Sequence, residues 1–109
     1  MRYVSTRGLA PPVGFSEAVA AGLAPDGGLF VPEFLPDLSG ELAALGALPY
    51  PELCARFLGR FATDIPAPEL GEVVARSYGA FDRPEVAPLL ELSGGLHVLE
   101  LFHLSLIHI

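Results

Sequence analysis

The segment Pro25-Asp26-Gly27-Gly28 forces the chain to reverse direction. Proline sets φ, aspartate bonds to nearby backbone, and glycine supplies the positive φ that tight turns need. Upstream, Tyr3-Val4-Ser5-Thr6 is β-branched and aromatic and predicts a strand, ended by Gly8 and Pro11-Pro12. Phe15-Ser16-Glu17 predicts a helix start, with Ser16 as the cap and Phe15 as the apolar residue before it. That helix runs through Ala21 and closes at Gly22. Downstream, Leu29–Val31 predicts a brief strand, and Pro32 and Pro36 make the next segment irregular.

Helical periodicity appears further along. Pro51–Phe61 places Leu53, Phe57, Leu58 and Phe61 on one face, with Pro51 suited to a first turn. Pro68–Phe81 does the same with Leu70, Val73, Val74, Ser77, Tyr78 and Phe81, and Pro84 lies just past its end. Ser39–Leu45 is a weaker helical segment. Val86–Leu92 and Leu96–Phe102 predict strands around a Ser93-Gly94-Gly95 turn. The expected fold is a small α+β domain with a few short strands and three to four helices.

One domain is expected for 109 residues. Hydrophobic residues make up 51% and charged residues 17%, against about 25% charged in a usual soluble domain. A small domain has much surface to cover, so its exterior must be apolar or built to pack against something else. The net charge is −7, with six arginines and no lysine. No basic patch of the nucleic-acid-binding kind is visible. Without lysine, no side-chain amine can form a Schiff base. Cys54 is the single cysteine and sits at helical spacing among apolar residues, as a small buried hydrophobe would. No internal disulfide is possible, no signal-peptide run opens the chain, and the most apolar stretch, His97–Ile109, is shorter than a membrane span. A soluble, cytoplasmic protein is expected, without nucleic-acid or membrane partners.

Candidate chemistry is sparse. Gly27-Gly28 could admit a phosphate, but neither G-x-G-x-x-G nor a Walker-type lysine is present, and the pair precedes a strand. A plain turn fits better. His97, His103 and His108 lie six and five residues apart; on a strand the first two would be separated by about 20 Å, too far for one ion. Glu69 and Glu72 fall on the side of their helix away from the apolar stripe, as a solvated face does. There is no G-x-S-x-G elbow. No residue is assigned a catalytic, cofactor-binding or metal-ligating role.

The ordered blocks of the chain resemble the N-terminal part of the threonine synthase family. Tyr3-Val4-Ser5-Thr6-Arg7 looks like that family's opening strand. Phe15-Ser16-Glu17-Ala18-Val19 and then Gly22-Leu23-Ala24-Pro25-Asp26-Gly27-Gly28-Leu29-Phe30-Val31-Pro32 resemble its longest N-terminal signature. Asp64-Ile65-Pro66, Glu69-Leu70, Tyr78, Phe81, Val86-Ala87-Pro88-Leu89 and Leu99-Glu100-Leu101-Phe102-His103 follow in family order. The resemblance implies a domain over 1–103, with 97–103 leading into a catalytic domain. It implies an enzyme that converts O-phospho-L-homoserine and water to L-threonine and phosphate, with pyridoxal phosphate (PLP) on a lysine as electron sink. The family continues after Phe102-His103 with Gly-Pro-Thr and a Phe-Lys-Asp segment bearing that lysine. Here Leu104–Ile109 departs from the pattern as a non-family tail. The expectation is an N-terminal fragment, itself inactive and without cofactor, that packs against a missing catalytic domain. The alternative is a stand-alone, non-catalytic interaction module presenting its apolar face.

Overall fold

A computed structural model describes residues 1–80 and 87–101. Its elements run β1 (Tyr3–Ser5), α1 (Phe15–Ala21), β2 (Phe30–Pro32), α2 (Leu42–Gly46), α3 (Tyr50–Gly59), α4 (Ala67–Gly79), β3 (Leu89–Glu91), a 3₁₀ turn (Ser93–Gly95) and β4 (His97–Leu99). Two antiparallel ladders form, β1–β2 and β3–β4. The small α+β class expected from the sequence is therefore what the chain adopts. The predicted positions of Phe81, Pro84, Val86, Phe102, His103, His108 and the 104–109 tail lie outside the described residues.

β1 and β2 pair with Tyr3 opposite Pro32 and Ser5 opposite Phe30. Their connection is the α1 helix and the Pro25–Gly28 turn. Gly27 there has φ of 77°, the left-handed conformation the sequence demanded. Tyr3 links this layer to the helices: its ring meets Phe15 at 5.8 Å, and its hydroxyl donates to the carbonyl of Phe61 at 3.0 Å.

α3 and α4 form the core. Cys54, Ala62, Leu70 and Val74 are buried together, with Phe15, Leu53, Leu58, Ile65 and Tyr78 packed around them. The buried stripes are narrower than the sequence suggested. Val73 is 48% exposed while Val74 is 4% exposed, and Phe57 is 43% exposed. A single facing helix covers only the i, i+4 row, so Leu70, Val74 and Tyr78 turn inward and Val73 is left outside. Phe57 instead lies against Phe61, ring centroids 5.2 Å apart.

The start of α1 also differs from expectation. The helix begins at Phe15, Gly14 holds the cap position, and no flanking side chain caps it. Ser16 is thus inside the first turn. Its backbone N–H donates instead to Asp64 Oδ2 at 2.9 Å, so a carboxylate from 48 residues away closes the helix end. Gly14 lets Asp64 come this near, since a Cβ there would lie 2.9 Å from Oδ2. α2 runs over Leu42–Gly46 rather than Ser39–Leu45, with Leu45 buried.

Candidate functional site

Three places hold the residues the sequence singled out, and each is built differently. The first is the Pro25–Gly28 turn. Asp26 sits at its centre and gathers donors from three segments. Ser5 Oγ donates to Asp26 Oδ1 at 2.7 Å, Gly28 N–H to the same oxygen at 2.9 Å, and Leu9 N–H to Oδ2 at 3.0 Å. Arg7 donates from its guanidinium to the Asp26 carbonyl at 2.9 Å and from its backbone to Ser5 Oγ at 3.1 Å. The Ser5 hydroxyl, then the Gly28 amide, hold the Asp26 carboxyl below the usual carboxylate range. The Gly28 N–H is thereby engaged by the turn's own aspartate. This arrangement fastens β1 to the turn, which is the structural role a turn signature serves.

The second is a thiol–phenol cluster between α3 and α4. Cys54 is buried, as expected of a small hydrophobe. Tyr50 and Tyr78 meet edge to face with centroids 5.3 Å apart. The hydrogen bond with Cys54 is the main cause that pushes the Tyr78 phenol up to about 12, and burial adds to it. Burial, then the charge of Cys54, raises Tyr50 as well. Periodicity alone gave no sign of this cluster. Tyr50 precedes the predicted helix start, and the pairing depends on how two helices meet.

The third is the apolar exterior. The solvent-accessible surface is 7841 Å², about 2,000 Å² more than a closed folded chain of this mass presents. The radius of gyration is 16.6 Å, against roughly 13 Å for a closed domain of about this length. Among the described residues no large side chain is fully buried, and most of the buried set is small. The β3–β4 hairpin carries a run of exposed apolar side chains. Leu89 opposes Leu99 and Leu90 opposes Val98, so apolar pairs occupy both faces. All four are 40–63% exposed, with Leu92, Leu96 and Leu101 beside them. Antiparallel sheets with one wet face show a polar side, and this hairpin has none over these pairs.

The remaining candidates are dispersed. His97 lies exposed on β4 with Nδ1 3.1 Å from the Gly95 carbonyl. His103 and His108 lie outside the described residues. Glu69 and Glu72 are exposed on α4, as a solvated face requires. Among the described residues no three His, Cys, Asp or Glu side chains converge as a metal site, and no helix is long and apolar enough to cross a membrane.

Known proteins share this arrangement. Residues 2–78 match the family described as Threonine synthase N terminus. Threonine synthase-like 2 of Homo sapiens is 48% identical over 108 residues, covering 94% of this chain and 22% of that protein. Threonine synthase of Pseudomonas aeruginosa is 47% identical over 105 residues, covering 94% of this chain and 22% of that one. The crystal structure of PLP-bound threonine synthase from Brucella melitensis superposes with a TM-score of 0.87 at 43% identity, over 94% of this chain and 23% of that chain. The chain thus spans under a quarter of the length of these relatives. In sequence and in fold, it belongs to the threonine synthase family, matching that family's N-terminal domain.

Proposed function

We propose that these residues are the N-terminal part of a threonine synthase, the lyase that converts O-phospho-L-homoserine and water to L-threonine and phosphate, and that they supply packing rather than chemistry. The observation that carries this is the apolar hairpin, exposed on both faces in a chain that matches under a quarter of its relatives. An excess surface of about 2,000 Å² is what one partner of an obligate interface presents. The occupant is the larger catalytic body, and β3–β4 belong to its sheet.

The residues present do not fit PLP themselves. PLP enzymes of this reaction class hold the cofactor on a lysine, and the chain has none. The cofactor belongs to the parent, held by residues outside this sequence. A boundary between α4 and β3, ahead of the 97–103 lead-in expected from the sequence, is part of the same proposal: α3 and α4 complete the small core, and among the described residues β3–β4 join no ladder of the first body.

The test is spectroscopic. The purified 109-residue chain, mixed with PLP and O-phospho-L-homoserine, should give the spectrum that PLP and O-phospho-L-homoserine give without protein, and should release no phosphate. A cofactor band that survives dialysis, or measurable phosphate release, would refute the assignment of a non-catalytic role.

A further inference from the structure

We propose that the groove between α2, α3 and the start of α4 binds a small organic oxyanion, a phosphate or carboxylate head on an apolar body, through Arg56 and Arg60. The groove encloses about 630 Å³ and is lined by Glu41, Arg56, Arg60, Thr63, Ile65 and Leu70, with small residues between them. That volume is in the range of small-molecule sites, about 300–1,000 Å³. Its floor is apolar, made by Ile65, Leu70 and the alanines at 55 and 67.

The charge arrangement names the ligand class. Arg56 lies in the last turn of α3 and Arg60, four residues on, is its C-cap with helical backbone, so their side chains share a face. Like charges at that spacing repel unless an anion lies between them. Glu41 already pairs with Arg60 through Oε1 and Nη2. Arg56 has no ion-pair partner among the described residues. The groove therefore holds two guanidinium forks and one internal carboxylate, in a chain whose net charge is −7. A carboxylate seated on Arg60 shows which head group the site accepts. A guanidinium presents paired N–H donors that match carboxylate and phosphate oxygens. An incoming oxyanion would bind Arg56 and compete with Glu41 for Arg60, while its apolar body lies along Ile65 and Leu70.

The experiment titrates the isotope-labelled 109-residue chain with phenyl phosphate, benzoate and inorganic phosphate, reading amide shifts by NMR. Phenyl phosphate should give saturable shifts at Arg56, Arg60, Thr63 and Leu70. Benzoate should act at the same residues, more weakly for its single charge. Inorganic phosphate, lacking the apolar body, should bind more weakly than phenyl phosphate. Arg56→Gln should weaken phenyl phosphate about tenfold, the size of one lost charged hydrogen bond. Glu41→Gln should tighten it, because the internal competitor is gone. Arg56 is exposed and Glu41 half-exposed, and circular dichroism should show both variants folded. Shifts confined to other residues, equal binding of inorganic phosphate, or unchanged affinity in either variant would overturn the assignment.

Discussion

Replacing Gly28 by alanine should damage the domain more than replacing Gly27, although only Gly27 has positive φ. A Cβ on Gly28 would overlap Ser5 Oγ, and would sit 3.0 Å from Asp26 Oδ1 and 3.1 Å from the Arg7 backbone nitrogen. Two of these neighbours are fixed. Ser5 is only 6% exposed and paired to β2, and Arg7 N is backbone. Overpacking of this kind costs about 1–3 kcal/mol. Displacing the buried Ser5 hydroxyl from its partners adds about 1–3 kcal/mol. A total near 3 kcal/mol is a large share of a small domain's stability. It should lower Tm by about 15 °C at 4–8 °C per kcal/mol. At Gly27 the nearest atom is the end of the flexible Arg7 side chain, 2.9 Å away. The cost there is mainly the left-handed backbone, about 1–2 kcal/mol. Gly22, with φ of 72° and open space around it, should behave like Gly27 without the contact. Thermal melts of the three alanine variants by circular dichroism give the comparison. If Gly28→Ala melts as high as Gly27→Ala, the turn is not the packed lock described above.

Asp64→Ala should weaken α1 without disturbing α3, read as faster amide exchange at Ser16 and its neighbours, because the acceptor of the Ser16 N–H is lost. Stability should fall in acid. The carboxyls of Asp26 and Asp64 lie below the ordinary value in the fold, through the Ser5 hydroxyl and the Ser16 amide respectively. Protons therefore bind the unfolded chain first, and their contribution, complete above about pH 4, is lost as pH drops below it. The tyrosines act in the opposite sense. Tyr78 is raised to about 12 and Tyr3 and Tyr50 are raised by burial, so their contribution is complete below about pH 10 and lost as pH climbs toward 12. Tyrosinate absorbance should stay low until that interval, and Tyr78→Phe should lessen the alkaline loss of stability. Leu90→Lys with Val98→Lys should reduce self-association in sedimentation while leaving the melt of the α3–α4 body unchanged, since both side chains are exposed and neither belongs to that core.

What could be read from the sequence was what the sequence decides locally. The Pro25–Gly28 turn needs only its own residues, and even the Asp26 bond to Gly28, two residues on, belongs to a familiar aspartate turn. Cys54 was legible as a small buried hydrophobe because burial follows the helix face. The cap of α1 was not legible: Ser16 has the right chemistry in the right place, yet a carboxylate 48 residues away occupies that role. The choice between Val73 and Val74 depended on how many helices face α4, which periodicity does not state. Tyr50 and Tyr78 come together only when α3 and α4 pack. The Arg56–Arg60 pair had a readable signal in its four-residue spacing, but Glu41 and most of the groove floor come from other elements. The low charge content was the most informative global property. It pointed to an apolar exterior, and the hairpin carries part of it.

The most direct test of the central claim is reconstitution in trans. The 109-residue chain would be co-expressed with Pseudomonas aeruginosa threonine synthase lacking the corresponding N-terminal segment, and phosphate release from O-phospho-L-homoserine measured. Neither piece should work alone, the two should co-purify, and activity should return only with both, failing when Leu90 and Val98 are both replaced by lysine. Activity of the truncated enzyme unaided, or a mixture that neither associates nor turns over, would contradict that claim.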